Sequence, residues 1–103
     1  MNVLYIDTRD NKQTIIKLSV GEESFEYKST AVIKHAQTIL PLIEKILNKA
    51  GIKVGDIDKI EVETGPGSFT GLRVGIAIAN ALSFAGNIKI NGKKAGEIVL
   101  PEY

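Results

Sequence analysis

The chain has 103 residues, 44% hydrophobic and 24% charged, which is the size and balance of one domain able to bury a core. Thirteen basic residues against twelve acidic ones leave a formal charge of +1, so there is no electrostatic footprint for strong nucleic-acid binding by this chain alone. With no cysteine, disulfides and thiolate chemistry are excluded, and the single His35 leaves a zinc cage without its usual ligands.

Val3-Leu4-Tyr5-Ile6 is a short apolar run ending at Asp7, which fits a central strand covered on both faces. It is too brief for a signal peptide and lacks the basic flank. No later run approaches the roughly 18 apolar residues of a membrane span, so a cytoplasmic location away from membranes is expected. After the turn signals Asp7, Arg9, Asp10 and Asn11, the residues Ile16, Leu18 and Val20 alternate with Lys17 and Ser19 as a second strand. Gly21-Glu22 turns the chain, and Phe25 and Tyr27 alternate with Ser24, Glu26 and Lys28, which predicts a third strand in hairpin with the second.

The period then changes. Val32, Ala36, Ile39, Leu40, Ile43, Ile46, Leu47 and Ala50 recur at spacings of three and four, which predicts one helix capped by Ser29 or Thr30, kinked at Pro41 and closed by Gly51. Ile60, Val62 and Thr64 alternate with Lys59, Glu61 and Glu63 as a fourth strand. Gly65-Pro66-Gly67-Ser68 breaks the chain before a second helix from about Thr70 to Phe84, with Gly86 as its C-cap. Ile88 and Ile90 suggest a fifth strand, and residues 91–103 carry no clear pattern. The order βββαβαβ predicts a single α/β domain over residues 1–103, a mixed sheet carrying two main helices. Polar residues at Lys17, Ser19, Glu26, Glu61 and Glu63 predict that one sheet face is wet and that both helices share the other.

Four of the ten glycines fall between residues 65 and 75. A strand entering a helix through such a loop presents free backbone N–H groups that Ser68 or Thr70 can cap, but the segment has neither a P-loop lysine nor dinucleotide spacing. On the helix, Gly71, Gly75 and Ala79 stand four apart as a smooth stripe, flanked by Val74, Ile78, Ala81 and Leu82, with only Arg73, Asn80 and Ser83 polar. A glycine within a helix costs roughly 1 kcal/mol relative to alanine, so two in five residues call for another backbone in close approach. Either that backbone belongs to a partner, or the stripe packs on the chain's own sheet and the remaining apolar residues face outward as an interface. The candidate interface on this basis comprises Gly67, Ser68, Phe69, Thr70, Gly71, Arg73, Val74, Gly75, Ile78, Ala79 and Leu82. Arg73 has two readings, pairing with a partner's carboxylate or phosphate, and simple solvation. His35, without a second ligand at metal spacing, reads as a surface or interface histidine.

The run Gly65-Pro66-Gly67-Ser68-Phe69-Thr70-Gly71-Leu72-Arg73-Val74-Gly75 resembles the GPGSFTGxRxG signature of the TsaB (YeaZ) family. Leu4 to Thr8 is similar to that family's opening strand. His35 to Gly51 resembles its first helix, with a histidine and a Leu40-Pro41 pair. The resemblance implies an actin-like, sugar-kinase-like lobe related to ribonuclease H. It further implies a non-catalytic role, without a cofactor, beside a TsaD-like catalytic subunit and a TsaE-like ATPase in the threonylcarbamoyladenosine modification of tRNA. The glycine-rich segment and its helix would then belong to the dimerisation surface, with a homodimer through residues 70–84 as a further form. Family members carry a second lobe after the fifth strand, whereas about thirteen residues remain here and Ile98 to Tyr103 resembles the family's terminal tail. An inter-lobe cleft within one chain is therefore not expected. The alternative is an enzyme. Asp7, Glu44 and Glu63 fall on the first strand, first helix and fourth strand, where a ribonuclease H-type nuclease gathers carboxylates around Mg²⁺, and actin-like ATPases place a metal-ordering carboxylate at the position of Asp7.

Overall fold

A computed structural model describes residues 1–10, 12–30 and 39–102. The elements are β1 (Asn2–Asp7), β2 (Thr14–Val20), β3 (Glu23–Ser29), α1 (Leu40–Ala50), β4 (Lys59–Val62), α2 (Phe69–Gly86) and β5 (Lys89–Ile90), with a 3-10 turn at Val54–Asp56. They form one five-stranded sheet in the order β3-β2-β1-β4-β5. The hairpin partners β1–β2 and β2–β3 are antiparallel, while β1–β4 and β4–β5 are parallel, as crossovers through helices require.

Register explains the two faces. Leu4 lies opposite Leu18 and Ile60, Ile6 opposite Ile16 and Val62, and Ile60 opposite Ile90, so one face is a continuous aliphatic layer. All seven of these residues are buried, and the helices cover them with Ile43, Ile46, Leu47, Leu72, Ile76 and Ala79. Each fully buried Ile or Leu contributes roughly 1.5–3 kcal/mol relative to exposure. On the opposite face Lys17 pairs with Tyr5 and Glu26, and its ammonium lies 5.4 Å from the Tyr5 ring centre. Lys17, Glu26 and Glu61 are exposed there, which is the wet face expected from the alternation.

The first helix is described from Leu40 onward. Residues 31–38, which hold Val32, Ala36 and His35, lie outside the described residues, and the described helix begins at Leu40 with Pro41 in its first turn. Among the described residues Pro41 starts the helix and does not kink it, because the first-turn N–H has no intrahelical acceptor and the ring costs nothing there. Gly51 closes α1 as expected, with φ 74° and its N–H on the Asn48 carbonyl at 3.1 Å. Lys45 and Lys49 place their ammonium groups 5.9 and 5.8 Å from the Tyr27 ring centre on β3. In α2 the left-handed cap is Asn87 at φ 54°, and Gly86 is the last helical residue. A side chain at Gly86 would strike Ile88, so the glycine there serves close packing and not the cap.

Two asparagine amides complete the β5 side of the molecule. β5 has only two residues, and the Asn91 side chain extends its ladder by donating to the Val62 carbonyl at 2.9 Å and accepting from the Val62 N–H at 2.8 Å. The Asn80 side chain holds the tail in the same way, bonding the Val99 N–H and carbonyl, each at 2.9 Å. The tail, unpatterned in sequence, therefore runs back along α2 until the Glu102 N–H reaches the Thr64 carbonyl at 2.6 Å. Among the described residues no helix is long and apolar enough to cross a membrane.

Candidate partner interface

The glycine-rich segment is held by the end of β1. The Ser68 N–H donates to the Arg9 carbonyl at 2.7 Å, and the Ser68 hydroxyl caps α2 by accepting from the Gly71 N–H at 3.3 Å. A side chain at Gly67 would meet Arg9 backbone and Cβ atoms within 3.0 Å, so the loop lies flat on the β1 turn. Phe69 is the first residue of the helix.

The smooth stripe faces inward. A methyl at Gly75 would collide with the Thr8 hydroxyl, and buried Thr8 donates that hydroxyl to the Gly71 carbonyl at 2.6 Å. Gly71, Gly75 and Ala79 are buried with Ile78, so of the two readings of the stripe the structure takes the second: it packs within the chain, with the Thr8 side chain just past β1 against Gly75. In this structure these four residues therefore present no free surface to a partner. The small residues are needed because α2 crosses the point where β1 ends, and Thr8 occupies the space that side chains would fill.

The outward side of α2 carries the remaining candidates. Thr70 and Arg73 are exposed, with Gly67 in the preceding loop, and Ser68, Val74 and Leu82 are half-buried. Helical spacing adds Ala77 and Phe84, and brings in Ala81, a flanking residue outside the candidate list: all three are exposed, Phe84 to 79%. Beyond Arg73 this stripe is apolar. Beside it lies a groove of about 360 Å³ between α1 and Leu82 of α2, lined by the apolar Leu40, Ile43, Leu47, Ile52, Val54 and Leu82 together with Glu44, Asn48 and Lys53. Leu40 is 45% exposed at its mouth. The signal that could have found Ala77, Ala81 and Phe84 is the 70, 73, 77, 81, 84 spacing itself, obscured because α2 is apolar on nearly every side.

The candidate carboxylates behave differently. Asp7 and Glu63 come together on the wet side of the sheet through Tyr5 and Arg9. The Tyr5 hydroxyl donates to Glu63 Oε2 at 2.6 Å and lies 3.4 Å from Asp7 Oδ2. Arg9 donates Nε to Asp7 Oδ1 at 3.1 Å and Nη2 to Asp7 Oδ2 at 3.0 Å, its backbone N–H adds a bond to Oδ1 at 3.1 Å, and Nη2 stands 3.9 Å from Glu63 Oε2. Burial pushes the Asp7 carboxyl up, but the bonds from Arg9 and the Arg9 charge outweigh it and hold the group below its ordinary value. Burial and the bond to Glu63 push the Tyr5 hydroxyl well up, so it remains a donor. Glu44 does not join them. It is exposed on α1, and α1 packs on β2 and β3 from the aliphatic face. The nuclease triad of Asp7, Glu44 and Glu63 is therefore not assembled, and the carboxylates that do meet share a guanidinium. These residues do not fit the divalent ion that the fold's enzymes hold.

The family model for TsaD, tRNA N6-adenosine threonylcarbamoyltransferase, matches residues 27–93. The tRNA threonylcarbamoyladenosine biosynthesis protein TsaB of Haemophilus influenzae is 33% identical over 90 residues, covering 87% of this chain and 38% of that protein. A tRNA N6-adenosine threonylcarbamoyltransferase of Ralstonia pickettii is 47% identical over 51 residues, covering 50% of this chain and 15% of that protein. The structure of YeaZ from Pseudomonas aeruginosa matches with a TM-score of 0.81 and 28% identity, over 86% of this chain and 41% of that one. The chain spans about two fifths of the length of the TsaB relatives it matches. The sheet with its helices on one face matches the solved YeaZ fold, and the chain belongs to the TsaB (YeaZ) family.

Proposed function

We propose that this chain is a non-catalytic dimerisation subunit in the biosynthesis of threonylcarbamoyladenosine in tRNA, docking on a TsaD-like catalytic subunit through the outward face of α2 and the adjoining α1–α2 groove. The observation that carries this reading is the apolar stripe of Val74, Ala77, Ala81 and Phe84 on a helix whose small-residue face is already occupied by its own sheet. A bare apolar stripe of this kind is stabilised by a partner helix that covers it. Thr70 and Arg73 give one end of the stripe a polar rim. The reading is non-catalytic because the paired carboxylates are held by Arg9 and Tyr5, and because Glu44 stands apart from them. A TsaE-like ATPase would join the same assembly, and the tRNA would be held by another subunit, in keeping with a formal charge of +1.

The test is co-purification with the TsaD-like protein of the same host, followed by reconstitution of the modification. Ala81→Glu places a charge in the middle of the stripe. It should leave the melting temperature unchanged while weakening association by about tenfold or more, since about 1.4 kcal/mol corresponds to that factor. Wild-type affinity in the Ala81→Glu variant, or full modification in a mixture lacking this chain, would overturn the reading. Exclusive association of the chain with itself would replace the heterodimer with an isologous dimer on the same face.

A further inference from the structure

Asp7 at the end of β1 and Glu63 just past the end of β4 approach the same Arg9 side chain, and Asp7 and Arg9 line a solvent-open hollow of about 340 Å³ with Asp10, Gln13, Ile15, Pro66 and Gly67. Hard divalent cations bind where carboxylate oxygens meet with room for water, and this corner has both. Access is not the barrier, since the Asp7 and Glu63 side chains keep 12% and 33% of their surface exposed. What stands between them is the guanidinium of Arg9, with two donors on Asp7 and Nη2 turned toward Glu63 at 3.9 Å. A guanidinium has five donors and no lone pair, so it satisfies both carboxylates but cannot coordinate a metal, and its charge repels one. We infer that Arg9 is a resident counter-ion, filling with the chain's own cation the position that the carboxylate geometry would otherwise offer to Mg²⁺ or Mn²⁺. The same residue then does a second job. Its carbonyl receives the Ser68 N–H at 2.7 Å, so the ion pair that fixes the Arg9 side chain also fixes the point on which the glycine-rich loop rests. The closed corner is structural, and the inference holds whichever partner binds α2.

The experiment is a Mn²⁺ titration followed by paramagnetic broadening of backbone amide signals, with thermal melting as a second readout. Wild type should show no broadening localised at Asp7, Glu63 and Gly67 in millimolar Mn²⁺. Arg9→Ala removes the guanidinium and leaves Asp7 and Glu63 with the Tyr5 hydroxyl between them and no cation, so it should gain broadening at those amides, with an affinity about tenfold or more above wild type. It should also gain a Mn²⁺-dependent rise in melting temperature, and Asp7→Asn in the same background should abolish both. Arg9→Gln, which keeps most of the stem and a neutral amide, carries the same comparison if Arg9→Ala does not fold. Localised Mn²⁺ binding by wild type would overturn the inference, as would a folded Arg9 variant that gains none.

Discussion

Gly75 and Thr8 form the contact on which α2 depends for its position. Alanine is the better helix former by roughly 1 kcal/mol, yet a methyl at Gly75 meets the Thr8 hydroxyl and steric overpacking typically costs roughly 1–3 kcal/mol. Gly75→Ala should therefore lower stability, and Gly75→Leu should lower it further, in the isolated chain and before any partner is added. Denaturant melts of Gly75→Ala, Thr8→Ala and the double variant give the coupling. The penalty of Gly75→Ala should shrink when Thr8 is truncated, and strict additivity would argue that the two do not touch. Asp7 supplies a pH signature. Its folded-state carboxyl titrates below the unfolded value of about 3.9, so the unfolded chain takes up the proton first as pH falls, and stability is lost through and below that range. The contribution is fully present above that range. An acid titration monitored by circular dichroism should be flatter in Asp7→Asn, and an unchanged acid slope would remove Asp7 as the cause.

At the scale of elements, the shortest strand and the tail both rely on a side-chain amide in place of a backbone neighbour. Asn80 bonds both polar groups of Val99, which is only 4% exposed, whereas Ile98 and Leu100 on either side are 64% and 71% exposed. One buried side chain and two side-chain hydrogen bonds thus hold an extended segment against a helix. Net contributions of roughly 0.5–1.5 kcal/mol per bond predict that Asn80→Ala destabilises tail docking by about 1–3 kcal/mol. Limited proteolysis should then cut near residues 93–98 in the variant well before wild type. Equal cutting rates would show that packing of Val99 alone holds the tail. The tail also closes over the loop, because a side chain at Gly65 would strike the Glu102 carbonyl.

The whole molecule is a sheet with helices on one face and charges on the other. Among the described residues its exposed large apolar side chains are Met1, Leu40, Phe84 on the outward side of α2, and Ile98 and Leu100 in the tail. Phe84→Ser removes the largest of them from water without touching the core. Folding stability should change by no more than about 0.5 kcal/mol, as for surface substitutions generally, while association at high concentration falls. Light scattering coupled to size exclusion reads the association, and a large loss of melting temperature would mean that Phe84 is a core residue in solution. Mixed charges on the opposite face, with Lys17 beside Glu26 and Lys59 beside Glu61, suit that face to water.

The amino-acid order by itself determined the strands, the two helices and the wet face, because a period of two or of 3.6 is written in consecutive residues. It also carried the family, through the run from Gly65 to Gly75. Which way the glycine stripe points was open, since periodicity groups Gly71, Gly75 and Ala79 without saying whose backbone covers them. Only Thr8, 67 residues away in the chain from Gly75, decides that. The same holds for Arg9, which as a sequence letter was a turn residue and in three dimensions joins carboxylates from two strands. The tail had no pattern to read, because isolated long-range bonds hold it, from the Asn80 amide to Val99 and from the Glu102 N–H to Thr64, and such contacts leave no period. Local periodicity reports what each segment prefers. The pairing of distant residues across the sheet end depends on how the segments meet, and that is settled only when the lobe is closed.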